Sequence, residues 1–550
     1  MGTDDKETTV HDLDRTTTND VNDLKVSDIH VEEVAIARLT EDDLYKLSKE
    51  SFKFRSQAGL RIMLIMFVQG CNQAGYGVDW SVITGINNIS SWHTYFNFGT
   101  SGPTYGTLNA LMNVGTMCGA PFLTFSDHIG RRGINFTGNA IVIVAAILQG
   151  CSINMPMFMC GRFILGFGSA IMSSPQYMAE VSPAHYRGLL VGLFGACFQV
   201  GSLGMNAGFI GFAKMQTDNL AWRIPVLLEA LFPAIVCLTI YFLTPESPRY
   251  LVMKGKIAQA RRVIARYQTN SDDENSELVN AVIAQIEDSL EQDRVVNRQW
   301  WNFLVFFTKP VRYRLLILVL YSVFQQWNGG GIITTYLVPA LNTVGITDST
   351  QIAGINFGLT AIYCVFTVVG AVIVDLVNRR TLIFAGLISF ILLQTAATIT
   401  GWRYTVDPTT AAAALTLLWI FSFQVCSATL IATMHNLYPV ECLSLVLRAK
   451  GLGFFSLIQG IAGTVQNYGI SLGIGPLGYK IWAVYVGYNL LQLVLSYFVF
   501  PETAGLSLEE IDIVFETDGV NPVPMSLNIQ KAKKASQILN GERDENLSLS

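Results

Sequence analysis

Three charged side chains interrupt long apolar runs of this sequence. Asp79 lies in GVDWS, Arg162 in CGRFILGFG and Glu229 in WRIPVLLEA. A charge inside a membrane-spanning helix is costly, so such a group usually pairs with an opposite charge or takes part in moving ions or protons. Asp79 and Glu229 could therefore bind and release protons beside Arg162, or they could form structural contacts that never titrate.

Twelve apolar runs of about 20 residues, the length that crosses the hydrocarbon core of a bilayer, carry these groups. Apolar residues make up 51% of the 550 residues and charged residues 14%, whereas soluble domains carry about 25% charged residues. We predict an all-α membrane protein whose transmembrane helices cover the ranges 60–84, 104–125, 134–154, 157–177, 188–212, 223–243, 313–337, 351–374, 381–401, 411–437, 451–473 and 481–500.

The twelve runs form two groups of six, which divide the chain into five segments. We predict a largely disordered cytoplasmic tail (1–57), an N-terminal six-helix half (58–243), a cytoplasmic middle loop with short amphipathic helices (244–312), a C-terminal six-helix half (313–500) and a second cytoplasmic tail (501–550). The sequence has no basic stripe with interleaved aromatic residues, which argues against a nucleic-acid partner.

Lys and Arg distinguish the two ends of the helices. Connections 85–103 and 338–350 contain neither residue, whereas Arg is present in 126–133, 184–188, 375–380 and 448–450. Because basic loops remain in the cytoplasm, we expect both termini to be cytoplasmic. We also expect the protein to lie in the plasma membrane and to act as a monomer. We call the Arg-containing end of the helices the inner end and the opposite end the outer end.

Three short signatures occur once in each half. SDHIGRRG is repeated as VDLVNRRT, YMAEVSPAHYRG as YPVECLSLVLRAKG, and Pro-Glu-Ser as Pro-Glu-Thr, at spacings of 248, 261 and 256 residues. A fixed order at nearly constant spacing indicates duplicated halves with parallel topology, an architecture typical of transporters.

The charged residues of these signatures are predicted to form a gate at the inner end. Arginine can bond carboxylates at neighbouring helix ends, and such a network would latch the halves together while the outer side is open. The alternative is that the basic residues only fix the topology. The predicted gate residues are Asp127, Arg131, Arg132, Glu180, Arg187, Glu246, Arg249, Asp375, Arg379, Arg380, Glu441, Arg448 and Glu502.

The duplicated Arg-Arg loops, together with PESPRYL and PETAGLSLEEI, resemble those of the sugar porters of the major facilitator superfamily over roughly 60–512. The stretches GVDWSVITGINNISSWHTYFN, FQQWNGGGIITTYL and LYPVECLSLVLRAKG are similar to those of fungal lactose-permease-like and cellodextrin-permease-like members. This resemblance implies the twelve-helix major facilitator fold and a transporter with no cofactor other than the proton gradient.

The resemblance also implies roles for individual residues. Asp79 matches a carboxylate of proton-coupled sugar porters, Arg162 matches the arginine that faces it in the family, and Glu229 resembles its counterpart in a bacterial xylose–proton symporter. Glu229 could assist coupling or could only pack between helices.

Amide side chains match the family's sugar-binding positions. They are Gln199, Gln325 and Gln326, with Asn328 and Asn436 at neighbouring places where this chain departs from the usual pattern. Amides suit sugars because they both donate and accept hydrogen bonds. The run Gly329–Gly331 predicts a wider, more flexible cavity wall, and His435 is expected to pack rather than relay protons.

We therefore expect a secondary active importer of a hexose, a disaccharide or a related glycoside, driven by proton symport through alternating access. The alternatives are a passive sugar uniporter and a transport-inactive sugar sensor of the same fold. The sequence shows no nucleophile–base pair, metal-ligand spacing or phosphate loop, which argues against an enzyme.

Overall fold

A computed structural model of the chain describes residues 41–172, 174–297, 306–308, 311–443, 445–506, 508–517 and 520–533. Every regular element in those residues is a helix. The predicted tails lie partly beyond them, because 1–40 and 534–550 are outside the described residues.

Each of the twelve predicted membrane segments contains a long helix, and we number these segments α1 to α12. The N-terminal six are α1 Gln57–Ile86, α2 Pro103–Gly119, α3 Arg131–Gly150, α4 Met155–Ala170, α5 Arg187–Phe212 and α6, which is divided into Leu220–Leu228 and Leu231–Leu243. The C-terminal six are α7 (Arg312–Gln326, Gly330–Thr334 and Leu337–Asn342), α8 Ser349–Leu376, α9 Arg379–Val406, α10 (Thr410–Cys426, Ser427–Ile431 and Met434–Glu441), α11 Leu445–Leu477 and α12 Lys480–Val499.

Eight of these segments are both long and apolar enough to cross a membrane within the described part of the chain, namely α3, α4, α5, α6, α8, α9, α10 and α12. The other four lie where the sequence predicts them but are interrupted, shorter or richer in polar residues. One of them, α7, has two breaks in its helix.

Glycines allow the helices that carry the candidate site to approach closely. A Cβ on Gly77 of α1 would lie 2.0 Å from the carbonyl oxygen of Phe198 in α5, and one on Gly201 would lie 2.0 Å from that of Ala74. Only glycine permits backbones to pack at this distance. Gly77 and Gly201 lie two residues from Asp79 and Gln199, respectively. The contact between the helices therefore fixes where Asp79 and Gln199 lie along α1 and α5 relative to each other.

Contacts divide the chain into two compact units. The larger contains the described parts of 65–177, 191–244 and 296–550, and therefore most of the membrane helices. The smaller contains those of 1–64, 178–190 and 245–295.

The smaller unit is a helical module with its own apolar core. Its helices are Glu41–Ser51, Pro248–Met253, Ile257–Gln268 and Glu277–Asn297, and Leu44, Ile264 and Val279 are among its buried residues. The last three of these helices lie in the middle segment 244–312. The helix Glu41–Ser51 lies within the predicted N-terminal tail and was not foreseen.

The N-terminal helix of this module is held by polar and aromatic contacts. Ser48 Oγ lies 2.7 Å from His185 Nδ1, and the backbone N–H of Asn270 donates to the carbonyl of Ser51 at 3.0 Å. Phe52 is 3% exposed and packs its ring edge-on against those of His185 and Tyr186. The helix therefore packs onto the segment immediately before α5.

At the outer end, within the larger unit, hydrogen bonds join the two halves. Thr84 Oγ1 donates to the carbonyl of Thr334 at 2.7 Å, and Asn88 Nδ2 donates to the carbonyl of Ser349 at 2.6 Å. Tyr105 OH donates to the carbonyl of Thr335 at 3.1 Å. Ser471 Oγ donates to the carbonyl of Gly102 at 2.7 Å. Between α5 and α8, Asn206 Nδ2 donates to Thr360 Oγ1 at 2.9 Å, and Asn206 Oδ1 accepts from Asn356 Nδ2 at 3.0 Å. All the groups in these bonds are uncharged.

Candidate functional site

A buried charge cluster lies in the N-terminal half. Arg162 Nη1 is 3.3 Å from Glu229 Oε1, and the two side chains are 1% and 0% exposed. Gln149 Nε2 donates to Glu229 Oε2 at 3.4 Å, whereas Oδ1 of Asp79, which is 2% exposed, has no hydrogen-bond partner among the described residues. The structure therefore pairs Arg162 with Glu229 rather than with Asp79.

Asp79 nevertheless belongs to the same cluster. Its carboxylate lies close enough to Glu229 and Arg162 for both charges to act on it. Two carboxylates thus lie near one guanidinium, which is paired with Glu229, in an interior from which water is largely excluded. In such surroundings charges interact strongly, so a change at one group is felt by the other two.

Local sequence explains how Glu229 reaches Arg162. The helix of α6 is interrupted at Glu229 and Ala230, between Leu228 and Leu231. Pro233, four residues after Glu229, has no N–H to donate to the Glu229 carbonyl, so an ordinary helical hydrogen bond cannot form there. Glu229 consequently lies at a break in α6, opposite Arg162 in the first half of α4.

The candidate amides of α7 lie at another helix break. The helix Arg312–Gln326 ends just after Gln325 and Gln326, and the next helical turn starts at Gly330. Asn328 Oδ1 accepts a hydrogen bond from the N–H of Gly330 at 2.7 Å, which starts that turn. Asn328 therefore shapes the break, and its side chain is engaged with its own backbone.

The glycine run does not widen the wall as the sequence suggested. Gly329 has φ +92°, which is favourable only for glycine, and a Cβ on it would lie 2.4 Å from Gln394 Nε2. A Cβ on Gly331 would lie 2.8 Å from Gln466 Nε2. Gly329 and Gly331 therefore lie where the amides of neighbouring helices leave no room for a side chain.

Gln325 and Gln326 point in different directions, because consecutive residues on a helix are about 100° apart. Gln326 is half-buried and lies beside Asn113 of α2. A Cβ on Gly463 of α11 would be 3.3 Å from Gln326 Oε1 and 3.4 Å from Asn113 Nδ2, so this glycine leaves room between the two amides. These two side chains come from different halves of the molecule.

Gln325 instead lies inside the C-terminal half. It is 7% exposed, and it lines a small cavity together with Gln492 and Ser496 of α12. Neither amide atom of Gln325 has a hydrogen-bond partner among the described residues, and the same is true of Gln492 Oε1 and Ser496 Oγ. Unpaired buried polar atoms are costly, so this cavity is suited to a small hydrogen-bonding molecule such as water.

The remaining candidates are placed as follows. Gln199 is half-buried in α5, and no described contact joins it to the α7 amides. The side chain of Asn436 lies outside the described residues. His435 Nε2 is 3.5 Å from Gln459 Nε2 of α11, which agrees with a packed histidine.

Two further amides belong with the site and were missed by sequence reasoning. Asn113 lies beside Gln326, and Gln466 has a buried Nε2 without a partner in the described part of the chain. Each of these amides interrupts an apolar run, and this interruption is visible in the sequence. Buried amides more often bond between helices, however, so spacing alone did not distinguish these two.

The C-terminal copy of the predicted gate forms one network. Arg379 Nη2 lies 3.2 Å from Glu441 Oε1, and the carboxylate of Glu502 accepts the backbone N–H groups of Arg379 and Arg380 at 3.0 and 3.1 Å. Thr503 Oγ1 donates to Glu441 Oε2 at 2.5 Å. Glu502 thus caps the N-terminus of α9, where a negative charge is favourable.

The N-terminal copy is divided between the two units. In the larger unit, Arg131 Nη1 lies 2.6 Å from Asp127 Oδ1, and Arg132 Nη1 donates to the carbonyl of Thr244 at 3.2 Å. In the smaller unit, Ser247 Oγ donates to the carboxylate of Glu180.

Five other predicted gate residues complete the account. In the smaller unit, the Glu246 carboxylate accepts the N–H of Ser247 at 3.0 Å, Arg187 begins α5 and Arg249 lies in the helix Pro248–Met253. The side chains of Asp375 and Arg448 lie outside the described residues.

Comparison with known proteins gives consistent matches. A family model described as "Sugar (and other) transporter" matches residues 62–515. Sugar transporter STL1 of Saccharomyces cerevisiae is 25% identical over 456 residues, covering 80% of this chain and 79% of that protein. Myo-inositol transporter 2 of Schizosaccharomyces pombe is 28% identical over 418 residues, covering 71% and 70%.

Among solved structures, the inward-open conformation of the xylose transporter XylE from E. coli superposes with a TM-score of 0.68 and 22% identity, covering 83% of this chain and 100% of XylE. Another structure of that protein describes it as a proton:xylose symporter. The similarity confirms the predicted twelve-helix fold.

Proposed function

The chain belongs to the sugar transporter family of the major facilitator superfamily, and on that premise we propose that it carries a sugar, a glycoside or a cyclic polyol into the cell together with a proton. The coupling ion, the substrate and the direction of transport are the parts of this proposal that need testing. No cofactor is required by the mechanism.

The observation that carries the proposal is the buried cluster of Asp79, Arg162 and Glu229. If both carboxylates are ionised, the cluster has one negative charge in excess, which is unfavourable in a low-dielectric interior. A proton bound to either carboxylate makes the cluster neutral. Loading and release of one proton therefore changes the electrostatic balance between α1, α4 and α6, which is what a proton-coupled carrier needs.

The proposed recognition of the substrate rests on amides from both halves of the molecule. Gln326 and Asn113 face each other across Gly463, and Gln199 lies midway along α5. Half-buried amides in the middle of membrane helices are poorly suited to lipid, so we infer that they face an aqueous cavity. An amide can bond a hydroxyl both as donor and as acceptor, which suits sugars and polyols.

Alternating access supplies the remaining step. We propose that the bonds at the outer end and the Arg-carboxylate networks at the inner end form and break in turn, with the inner end in the cytoplasm at the plasma membrane. The names of the relatives, which include sugar and myo-inositol transporters, set the range of substrates to try first.

Uptake into yeast cells that lack their own sugar transporters tests this proposal. The cells are given labelled xylose, glucose, myo-inositol, lactose or cellobiose, with and without a protonophore. We expect one class of substrate to accumulate above its external concentration and the protonophore to abolish that accumulation. Uptake that only equilibrates and ignores the protonophore would support a passive carrier instead.

Purified protein in liposomes separates transport from cell metabolism. An imposed inward proton gradient should drive substrate uptake without any other energy source. Binding of substrate without uptake under either gradient would contradict transport and favour a sensor.

A further inference from the structure

The break in α7 leaves backbone carbonyl groups without their usual helical donors. The last regular bond before the break runs from the N–H of Trp327 to the carbonyl of Val323, and the next within the described residues runs from Ile332 to Gly329. The carbonyls of Phe324 and Asn328 lie between these bonds. Unpaired carbonyls inside a membrane protein cost free energy and are normally satisfied by neighbouring helices.

Three buried amides from α9 and α12 supply the missing donors. Gln394 Nε2 donates to the carbonyl of Asn328 at 2.8 Å, and Asn489 Nδ2 donates to the same carbonyl at 3.2 Å. Gln492 Nε2 donates to the carbonyl of Phe324 at 3.4 Å. The carbonyls at both ends of the break are therefore held from outside α7.

Two of the three amides are also bonded to each other. Asn489 Nδ2 also lies 2.8 Å from Gln394 Oε1, so α9 and α12 are bonded to each other at the point where both contact α7. The side chains are 1%, 0% and 0% exposed for Gln394, Asn489 and Gln492. Such burial places them in the interior of the C-terminal half, and their partners are the α7 backbone and one another.

We propose that Gln394, Asn489 and Gln492 are positioning residues that fix the angle of the α7 break and thereby aim Gln326. This inference rests on the proposed function, because it assigns the three amides a part in substrate recognition without contact to the substrate. The residues that bind the substrate lie one helical turn or less from the carbonyls that these amides hold. A small rotation at the break would therefore change which hydroxyl Gln326 can reach.

The geometry also explains why glycine occupies position 329. Its left-handed φ turns the chain at the break, and the missing side chain admits Gln394 to the Asn328 carbonyl. Gly329 and Gln394 therefore both contribute to the hydrogen bond that satisfies the Asn328 carbonyl.

Substrate binding to the purified protein tests the inference, with Gln394→Leu, Asn489→Leu and the double variant. The ligands are the substrate identified by the uptake assay and its monodeoxy analogues. In the parent, loss of the hydroxyl that an α7 amide contacts should weaken binding roughly ten-fold. In the variants, binding of the full substrate should weaken by a similar factor, and the penalty for removing that hydroxyl should largely disappear.

The double variant measures whether the amides act together. Because Gln394 and Asn489 share one carbonyl and bond each other, the double variant should bind little worse than either single variant. Gln492→Met, which loses the longest of the three contacts, should show a smaller effect and serves if the other variants fold poorly.

Asn139→Leu in α3 is the matched control. Asn139 is also fully buried, but its amide donates to the carbonyl of Asn135 in its own helix, away from α7. It should lower the melting temperature and leave the discrimination between hydroxyls unchanged. If Gln394→Leu behaves like Asn139→Leu, or binds and discriminates like the parent, the positioning role is wrong. If the parent itself binds no sugar or polyol, the proposed function fails first.

Discussion

Arg162 Nη1 and Glu229 Oε1 lie 3.3 Å apart in the interior of the N-terminal half, and neither side chain is more than 1% exposed. A buried ion pair contributes less to stability than its geometry suggests, because both charges have lost their water. Removing one partner is different, since it leaves the other charge buried and uncompensated. We therefore predict that Arg162 depends on Glu229 for its charge compensation.

We expect Glu229→Gln to destabilise the protein by an amount on the order of 3 kcal/mol, because Arg162 loses its ionic partner. The melting temperature of the purified protein measures the change. Gln149→Leu, which removes neutral contacts to Glu229 and to the carbonyl of Ala145, should cost clearly less. A Glu229→Gln variant as stable as the parent would show that Asp79 can replace Glu229 as the partner of Arg162.

Asp79→Asn should separate exchange from accumulation. Asparagine keeps the size of the side chain but cannot take up or release a proton, so it resembles the proton-loaded carrier. We expect the variant to exchange labelled for unlabelled substrate across a membrane while failing to concentrate it. Exchange in preloaded liposomes and accumulation under a proton gradient measure the two activities.

The control for this variant is Asp407→Asn, the same change at an exposed carboxylate that pairs with Arg403 near the end of α9. It should leave both activities intact. Accumulation by Asp79→Asn at the level of the parent would rule out Asp79 as the coupling group.

The two α7 glutamines should differ in their effect on binding. Gln326→Ala removes an amide that lies beside Asn113, and we expect substrate affinity to fall roughly ten- to a hundred-fold. Gln325 lies in the interior cavity, so Gln325→Ala should weaken binding less. Equal losses in a binding assay would mean that Gln325 leaves its cavity when the substrate binds.

Gly463→Ala should narrow the space between Asn113 and Gln326. The new methyl group would lie 3.3–3.4 Å from both amides, which is tighter than ordinary contact. We expect weaker substrate binding, measured beside Gly469→Ala in the same helix, where a Cβ has no neighbour within 4 Å. The two alanines have the same intrinsic helix propensity, so a difference between them reports on the site.

Packing of the helix Glu41–Ser51 against the rest of the smaller unit should weaken in acid. Burial, with a smaller contribution from Lys49, lowers the pKa of His185, so folding favours the neutral imidazole that contacts Ser48. The contact is fully stable above the ordinary pKa of histidine and loses stability as the pH falls through that value toward the lowered one.

Hydrogen exchange of residues 41–51 at about pH 5.5 and about pH 7.5 measures this effect, because these values lie on either side of the ordinary histidine pKa. Exchange should be faster at the lower pH. In His185→Gln, which cannot titrate, the two rates should differ only by the intrinsic effect of pH. The same pH dependence in both proteins would exclude His185 as its origin.

The sequence predicted most of the fold because its strongest signals are local. Long apolar runs and duplicated signatures specify where helices lie and how the halves correspond, and neither depends on rotation about a helix axis. The helix Glu41–Ser51 was missed because its stability comes from packing onto a distant segment near His185, which periodicity in a polar tail does not reveal.

The site was only partly predictable because it depends on how the helices are rotated and where they break. The three buried charges were identified, but Pro233 and the break in α6 decide that Glu229, not Asp79, forms the ion pair with Arg162. The rotation of α7 about its axis likewise directs Gln325 and Gln326 into different surroundings, although the sequence analysis had treated them as one pair. Asn113 was overlooked because its importance arises from the gap at Gly463.

The neutral hydrogen bonds that join the two halves at the outer end have a consequence for voltage dependence. They connect Thr84 with Thr334, Asn88 with Ser349, and Asn206 with both Asn356 and Thr360. A membrane potential does work only on charge that moves, about 2.3 kcal/mol per elementary charge for each 100 mV. Breaking these neutral bonds moves no formal charge, so the potential neither assists nor opposes their rupture. Any voltage dependence of the transport cycle must then arise elsewhere, and Asp79, Arg162 and Glu229 are buried charges within the membrane helices on which the potential can act.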